Sequence, residues 1–304
     1  MSRDHSTTPP PRRLPAGKQL EDIVQGMLNW PGVNACFVGR KQVGGLMTKR
    51  LALVCGVDQK IASDRLDSTE LLPGIVPLQL LSTHTTRLAT DVIEITGQLQ
   101  IEATVLGPAD IVNPELPSSR ATVGIALRHP VFGDVITTAG HAIPPGLSEG
   151  DRVRIESAGQ TFQAVILAVR IDQLTDHALL RPEGIPVLGN FFRDVTPLGP
   201  PFVPDPETDT GTELFVLFSS GVVQAVRCRG LQASLRTAPN VVMHNLILTD
   251  LVTRGGDSGT CVVDRNWRVW GLLLGAFRSQ QAGQGFSVFI PAFRVLSLEN
   301  ARFL

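Results

Sequence analysis

The sequence predicts a mainly β protein in which a small α/β segment precedes a larger all-β part. From residue 121 onward, short apolar runs alternate with turns that contain glycine or aspartate, a pattern typical of closed antiparallel β-barrels. Ahead of that part, apolar residues recur at helical spacing in 18–29 and are followed by two apolar, β-branched runs, 33–38 and 50–57. The two parts of the chain are therefore expected to differ in secondary structure.

The elements of the N-terminal part follow from local patterns. Residues 1–17 are polar, basic and proline-rich and lack the apolar core of a secretory signal, which predicts a disordered tail. The following α/β domain, 18–106, is expected to begin with a helix and a hairpin. The proline-containing stretch 71–81 predicts irregular extended chain, and the alternation of apolar and polar residues in 90–96 predicts a half-buried strand. The apolar face of the helix consists of Leu20, Ile23, Val24, Met27 and Leu28.

The β part begins after a stretch that predicts a linker, 107–120, in which three prolines stand among small polar residues. The many prolines of 188–209 exclude a central strand there and predict a connection between two halves. A short helix is expected near 295–298. The strands predicted for the β part are 121–127, 131–138, 152–157, 163–169, 213–219, 222–228, 246–250, 261–263, 269–274 and 286–290.

Composition excludes several classes of function. The chain of 304 residues is 43% hydrophobic and carries a formal net charge of −1, which is unlike a disordered chain or a nucleic-acid-binding protein. It has no run of about 20 apolar residues, so we expect no membrane span. The histidines His129, His141 and His177 do not stand at metal-ligand spacing, so we expect neither a metal nor another cofactor.

The stretch around Ser258 indicates catalysis. A serine hydroxyl becomes a nucleophile when a base takes its proton and when donors stabilise the oxyanion that forms. In the sequence Gly-Gly-Asp-Ser-Gly, the glycines allow a tight bend, so the N–H groups of Gly256 and Ser258 could point at one oxygen and form an oxyanion hole. The alternative is an ordinary turn, because glycine-flanked Asp-Ser pairs also form turns.

Two other segments offer partners for this serine. His141 follows the apolar run 131–136, which places it at the end of a predicted strand, and Asp176 precedes a short apolar run. Asp172 is a competing candidate for the carboxylate. Read singly, His141 could be a core histidine and Asp176 a turn residue.

Taken together, three segments resemble the signatures of chymotrypsin-like (trypsin-superfamily) serine proteases in that family's order. These are Thr-Thr-Ala-Gly-His ending at His141, Asp-His-Ala-Leu-Leu beginning at Asp176, and Gly-Asp-Ser-Gly around Ser258. The resemblance implies two antiparallel six-stranded β-barrels, at about 121–188 and 211–294, within a protease domain that covers 121–304.

The resemblance also implies a serine endopeptidase that acts on protein or peptide substrates. Ser258 would be the nucleophile, His141 the general base and acid, and Asp176 the residue that orients His141. Asp257 matches an aspartate that pairs with a new N-terminus in animal digestive enzymes, but a long segment precedes this domain, so we expect another partner for it. The alternative is an inactive or gated protease-like scaffold that binds peptides or protein partners.

Substrate preference is the least defined property. Trypsin-like members have an aspartate six residues before the serine, and this chain has Val252 there, which cannot pair with a basic side chain. Asp250 lies two positions further back. By resemblance, Val252 and Gly275 would line the substrate-binding site, and a small or apolar preference is expected.

The N-terminal domain and the cysteines bear on location and partners. Secreted relatives commonly have a disulfide-forming cysteine after the catalytic histidine, and this chain has Ala142 there, which predicts a reducing compartment and a cytoplasmic protein. The helix, the strands and 90–96 resemble the N-terminal region of certain bacterial intracellular trypsin-like proteins and, more loosely, the plant narrow-leaf type. The domain could serve for homo-oligomerisation or bind a regulatory partner.

Overall fold

A computed structural model describes most of the residues of the chain. The predicted tail, 1–17, lies outside them. The described residues are 20–43, 46–62, 65–67, 70–79, 85–95, 99–100, 110–112, 120–157, 160–187, 189–192, 196–238, 241–278 and 285–304.

The N-terminal part is a helix packed on a sheet, as predicted. All five apolar residues of the predicted helix face are buried against the sheet. The first two strands form the predicted hairpin, and the sheet order is β1-β2-β4-β3, with β2 and β4 parallel. The elements are α1 (Leu20–Leu28), β1 (Val33–Val43), β2 (Leu46–Val57), β3 (Ile75–Gln79), β4 (Thr85–Glu94) and the two-residue strand β5 (Leu99–Gln100).

The expectation of irregular chain over 71–81 is wrong for its middle, because β3 pairs antiparallel with β4 there. Pro77 lies within β3, opposite Arg87. Proline is tolerated in this strand because β3 ends the sheet order, so the missing N–H breaks no ladder on the outer edge.

The first barrel is closed by one interrupted strand, β7 and β8, which pairs with the strands at both ends of the sheet. β7 pairs with β6 and β8 pairs with β9, and only residues 123–125 separate β7 from β8. Counted as one strand, β7 and β8 close the order β8-β9-β12-β11-β10-β6-β7 into six strands. The strands are β6 (Asp110–Val112), β7 (Arg120–Thr122), β8 (Ala126–His129), β9 (Gly133–Thr138), β10 (Arg152–Ser157), β11 (Gln160–Ile171) and β12 (Asp176–Pro182).

This closure corrects the predicted linker, 107–120, because β6 lies inside it and pairs with β10. Of the three prolines that predict a linker, Pro108 precedes this strand in the sequence and Pro114 and Pro117 follow it, so none of them lies within it. A short strand between two prolines keeps its N–H groups, so it can still complete the barrel.

The second barrel is closed by direct pairing. β15 pairs with both β16 and β18, so the order β15-β18-β19-β20-β17-β16 returns to β15 as six antiparallel strands. The two predicted barrels and the mainly β class are thus confirmed. The elements are β13 (Phe191–Phe192), β14 (Thr196–Pro197), α2 (Pro206–Asp209), β15 (Glu213–Leu217), β16 (Val223–Ala238), β17 (Val241–Asp250), β18 (Cys261–Val263), β19 (Val269–Arg278), β20 (Gly285–Pro291), α3 (Ala292–Leu298) and β21 (Arg302–Phe303).

The N-terminal sheet is continuous with the second barrel. β16 is longer than its barrel partners require, and β1 pairs antiparallel with its far half, with Ala35 opposite Leu235. The ring of Phe37 lies against Gly230, where a Cβ would come within 2.2 Å of it, and meets the ring of Phe286 edge-on at 6.0 Å. The predicted α/β domain therefore shares both a sheet and an apolar core with the second barrel.

An apolar interface joins the two barrels. Leu127 and Val135 of the first barrel belong to the same buried cluster as Val263 and Leu272 of the second. Burying side chains of this size contributes roughly 1.5–3 kcal/mol each, so the interface holds the barrels in a fixed orientation. Within the described part of the chain, each helix is too short or too polar to cross a bilayer.

Candidate active site

His141 lies just beyond the end of β9, in a short 3-10 helix, Gly140–Ala142. Gly140 allows a close approach there, because a Cβ at this position would stand 2.8 Å from Oδ1 of Asp176. The turn points the imidazole from the first barrel toward the loop that carries Ser258.

Asp176 is the first residue of β12 and holds His141 at two points. Its Oδ1 accepts the backbone N–H of His141 at 2.8 Å, and its Oδ2 lies 2.7 Å from Nδ1 of the ring. An ionised carboxylate can only accept, so Nδ1 donates and carries the ring proton. The lone pair of Nε2 then faces Oγ of Ser258 at 3.0 Å.

The competing carboxylate, Asp172, has a different role. Its Oδ1 accepts the N–H of Leu174 at 2.6 Å and that of Thr175 at 3.0 Å. These bonds shape the exposed turn that leads into β12. Asp172 therefore supports the segment of Asp176 and does not itself contact His141 among the described contacts.

The loop of Ser258 is clamped between the two barrels. The carbonyl of Ser258 accepts the N–H of Thr122 in β7 at 2.8 Å, and the N–H of Gly259 donates to Leu273 of β19 at 2.8 Å. Gly259 adopts a left-handed φ of +96°, and a Cβ there would stand 2.1 Å from the carbonyl oxygen of Thr122. Only glycine meets both conditions.

We expect Gly259→Ala to destabilise the protein by several kcal/mol and to reduce catalysis by Ser258 strongly, because the added methyl group collides with backbone that cannot move away cheaply. Chemical unfolding and turnover measure the two effects. Gly146→Ala is the matched control, because Gly146 has a similar φ of +94° but a Cβ added there would have nothing within 4 Å. Equal losses of stability and turnover in the two variants would show that backbone strain causes them, and not the collision of the added methyl group with Thr122.

The turn before the serine has the features of an oxyanion loop. Gly256 has a left-handed φ of +99°, and its carbonyl accepts the hydroxyl of Thr122 at 3.2 Å. Asp257 closes the turn, since its Oδ2 accepts the N–H of Arg254 at 2.9 Å. The partner expected for Asp257 is thus found within its own loop. The use of the Gly256 and Ser258 N–H groups as oxyanion donors stays a prediction.

The residues predicted to bind substrate lie on different elements. The N–H of Val252 donates to Oγ of Ser287 at 3.2 Å, and Gly275 lies on β19 opposite Val288 of β20. Val252 also lines a pocket of about 360 Å³, whose other lining residues are Phe218, Ser219, Ser220, Val222, Gln224, Arg254 and Asp257. Their role in substrate binding stays a prediction.

Asp250 and Ser287 are polar residues near Val252, and both have partners. Asp250 forms an ion pair of 2.8 Å with Arg229 and accepts the N–H of Arg227 at 2.9 Å, so its charge is neutralised on β16. Ser287 is fully buried, and its Oγ lies 2.8 Å from Oγ1 of Thr253. Sequence reasoning missed Ser287, because its partner is 34 residues away and no local motif marks it.

A buried polar cluster supports the strand of Asp176, and sequence reasoning missed it as well. Glu299 follows α3 and is 4% exposed. Its Oε1 accepts from Nε2 of His177 at 2.8 Å and from Nε of Arg170, and its Oε2 lies 3.6 Å from Nε2 of His129. Nδ1 of His177 lies 2.6 Å from the hydroxyl of Thr175. The cluster therefore connects the chain after α3 to the two residues that flank Asp176.

The cluster gives a pH-dependent contribution to stability. Burial raises the pKa of Glu299, but the hydrogen bonds from His177 and Arg170 outweigh it and lower the pKa from 4.5 to about 2. Because the folded-state pKa is the lower one, the contribution is present above about pH 4.5 and is lost as the pH falls toward 2. A depression of this size corresponds to on the order of 3 kcal/mol.

We expect Glu299→Gln to remove this dependence, so that the difference in unfolding free energy from the wild type shrinks between pH 5 and pH 2.5. Urea unfolding at several pH values measures it. Glu183→Gln is the matched control, because Glu183 also has a pKa lowered by an arginine, Arg152, but in an exposed ion pair whose loss changes stability little. A constant difference for Glu299→Gln over this pH range would contradict the assignment.

Other chemistry-bearing residues form no comparable site. In the part of the chain that the structure describes, no three His, Cys, Asp or Glu side chains are placed so that together they could hold a metal ion. All four cysteines are buried free thiols, and burial raises the pKa of Cys228 and of Cys261 to about 12. The thiols of Cys36 and Cys55 face each other across the first hairpin at 3.9 Å.

Comparisons with known proteins agree with this architecture. No protein-family profile matches the chain, and no curated protein is significantly similar in sequence. A glutamic-acid-specific serine protease of known structure has a TM-score of 0.50 at 16% identity, over 66% of this chain and 100% of that chain. Protease A of Thermobifida fusca gives 0.49 at 17%, over 66% and 99%. A chymotrypsin of Cellulomonas bogoriensis gives 0.47 at 18%, over 67% and 98%.

The fold follows from these findings. The two closed barrels and the likeness at a TM-score of 0.50 show a chymotrypsin-like fold. The chain is therefore built on the scaffold of chymotrypsin-like serine proteases. At sequence identities below 20% the likeness concerns the fold, and the activity has to be argued from the site.

Proposed function

We propose that this chain is a serine endopeptidase that hydrolyses peptide bonds through an acyl-enzyme on Ser258. The observation that carries the proposal is the position of His141, which lies 2.7 Å from the carboxylate of Asp176 and 3.0 Å from the hydroxyl of Ser258. This is the hydrogen-bonded sequence of nucleophile, base and orienting carboxylate that acyl transfer requires.

Acylation is the first half of the reaction. Oγ of Ser258 attacks the carbonyl carbon of the substrate while Nε2 of His141 takes the hydroxyl proton. The charge that develops on the carbonyl oxygen is stabilised by the N–H groups of Gly256 and Ser258. His141 then gives the proton to the leaving amine, the carbon–nitrogen bond breaks, and the acyl group remains on Ser258 as an ester.

Deacylation repeats these steps with water. His141 takes a proton from water, the hydroxide adds to the ester carbonyl, and the proton passes to Oγ as the carboxylic acid leaves. Throughout, Asp176 keeps the proton of His141 on Nδ1 and stabilises the imidazolium. Because the side chain of Asp176 is only 2% exposed, its attraction to the imidazolium is weakly screened by water.

The substrates are proteins or peptides, and we propose that the residue before the cut is small or apolar. Val252 offers no charge, and the carboxylate of Asp250 is paired with Arg229. A basic side chain of the substrate would therefore remain without a counter-charge at either position.

Labelling with a short-chain fluorophosphonate tests the proposal. The reagent reacts with an activated serine irrespective of substrate preference, and we expect one equivalent on Ser258, located by peptide mass mapping. Ser258→Ala should take up no label, whereas Ser148→Ala, which changes an exposed serine bonded to Asp151, should label normally. Equal labelling of the wild type and Ser258→Ala, or none in either, would contradict the proposal.

A further inference from the structure

The two-residue strand β5 joins the second barrel although it precedes the first barrel in the chain. It pairs antiparallel with β19, with Gln100 opposite Ala276 and Leu99 opposite Phe277. No sequence pattern indicated this pairing, which links positions about 180 residues apart.

β5 pairs with the part of the β19 edge that begins where the pairing of β19 with the Ser258 loop ends. β18 covers this side of β19 only up to Leu272, which lies opposite Cys261, while β20 covers the other side through Arg278. At the boundary, Leu273 accepts the N–H of Gly259 and donates to the carbonyl of Thr260. The edge of β19 beyond Leu273 therefore starts beside the proposed nucleophile.

β5 runs along β19 in the direction that a substrate peptide would need in order to bring its scissile carbonyl to Ser258. Because the pairing is antiparallel, the chain that runs from Leu99 to Gln100 passes Phe277 and then Ala276, toward Leu273 and Ser258. Ala276 is three positions from Leu273, a span of about 10 Å at the rise of a strand. A peptide on this edge in this direction presents its C-terminal side to the serine, and the carbonyl that a serine attacks lies on that side.

We propose that β5 occupies, within the same molecule, the edge of β19 to which an extended peptide substrate adds, so that substrate must compete with the protein's own chain. The inference rests on the proposed function, since it assigns the competing ligand of that same site. It agrees with the burial of Ser258, which is 1% exposed.

Attachment at both ends makes this competition effective. Before β5, the N–H of Ile95 donates to Val57 at 2.7 Å, which fixes the chain to the N-terminal sheet. After β5, β6 is paired within the first barrel. A short tethered strand has an effective concentration in the millimolar range, so even a two-residue pairing raises the apparent KM for an added peptide.

The test removes the backbone pairing and keeps the rest. Adjacent N–H groups of a strand point to opposite edges, so the double change Leu99→Pro and Gln100→Pro removes whichever one is directed at β19. The control is Leu99→Ala and Gln100→Ala, which changes both side chains but keeps both N–H groups. Each pair is made in the wild type and in Ser258→Ala.

In the Ser258→Ala background, the rate of amide hydrogen exchange measures the pairing of β5 with β19 without any contribution from catalysis. We expect the one amide of Ala276 and Phe277 that is directed at β5 to exchange at least tenfold faster in the proline pair than in the alanine pair, while the other, directed at β20, keeps its rate. Unchanged exchange would overturn the inference, whatever the activity of the protein.

In the active background, we expect the proline pair to lower the apparent KM for a peptide about tenfold, with kcat and the rate of labelling by a short fluorophosphonate nearly unchanged. A self-cleavage product with a new N-terminus between residues 101 and 110, absent in Ser258→Ala, would equally support the inference. An unchanged KM without self-cleavage would overturn it. No labelling and no hydrolysis in any variant would instead refute the proposed function. The pairing of β5 would then still be tested by hydrogen exchange, which does not depend on activity.

Discussion

Ser258→Ala is expected to lower kcat for a peptide substrate by roughly 10⁴ to 10⁶-fold, because triad members act as a unit and, among the described contacts, Ser258 supplies the hydroxyl beside Nε2 of His141. The fold should survive. The main-chain bonds of this loop, to Thr122 and Leu273, do not use the side chain, and alanine is smaller than serine. Steady-state turnover and the midpoint of urea unfolding measure the two properties on the same preparation.

Ser148→Ala is the control for this variant and should keep wild-type turnover. Two results would count against the account. Undiminished turnover in Ser258→Ala would mean that the nucleophile is another residue, and a large fall in the unfolding midpoint would mean that the loss of activity reflects loss of the fold.

Asp176→Asn should lower kcat by about 10⁴-fold while leaving the geometry intact. The amide oxygen can still accept the backbone N–H of His141, which now bonds Oδ1 at 2.8 Å. The amide nitrogen then faces Nδ1 in place of Oδ2. Because that nitrogen donates, Nδ1 must accept, and the ring proton moves to Nε2. His141 then has no lone pair toward Ser258 and cannot act as the base.

Asp172→Asn separates this effect from a general disturbance of the turn. Asparagine keeps an oxygen that can accept the N–H groups of Leu174 and Thr175, so turnover should fall less than about threefold. Comparable losses in Asp172→Asn and Asp176→Asn would show that the turn, and not the tautomer of His141, limits the reaction.

That Ser258, His141 and Asp176 come together could be predicted, because each of them lies in a local motif. Glycines around Ser258, a strand that ends before His141 and an apolar run after Asp176 are all readable within a few residues. Most strands were found for the same reason, since the alternation of side chains and the turns between them are local. The polar cluster of Glu299 could not be found, because His177 and Glu299 are 122 residues apart.

Long-range pairing accounts for most of the remaining differences. The register of β1 on β16 joins residues about 200 positions apart, and it makes the predicted N-terminal domain continuous with the second barrel. The sequence predicts a linker where β6 lies, because prolines stand on both sides of it, and the partner of β6 in β10 is more than 40 residues away. Such contacts depend on tertiary structure, which local propensity does not report.

Trapping the acyl-enzyme shows directly whether Ser258 is the nucleophile. Mixed with a p-nitrophenyl ester of a small acyl group, the protein should release p-nitrophenol in a burst of about one equivalent before the steady state. Quenched in acid during the burst, it should carry the acyl mass on the peptide that contains Ser258. Hydrolysis without a burst, or an acyl group on another residue, would contradict nucleophilic catalysis by Ser258.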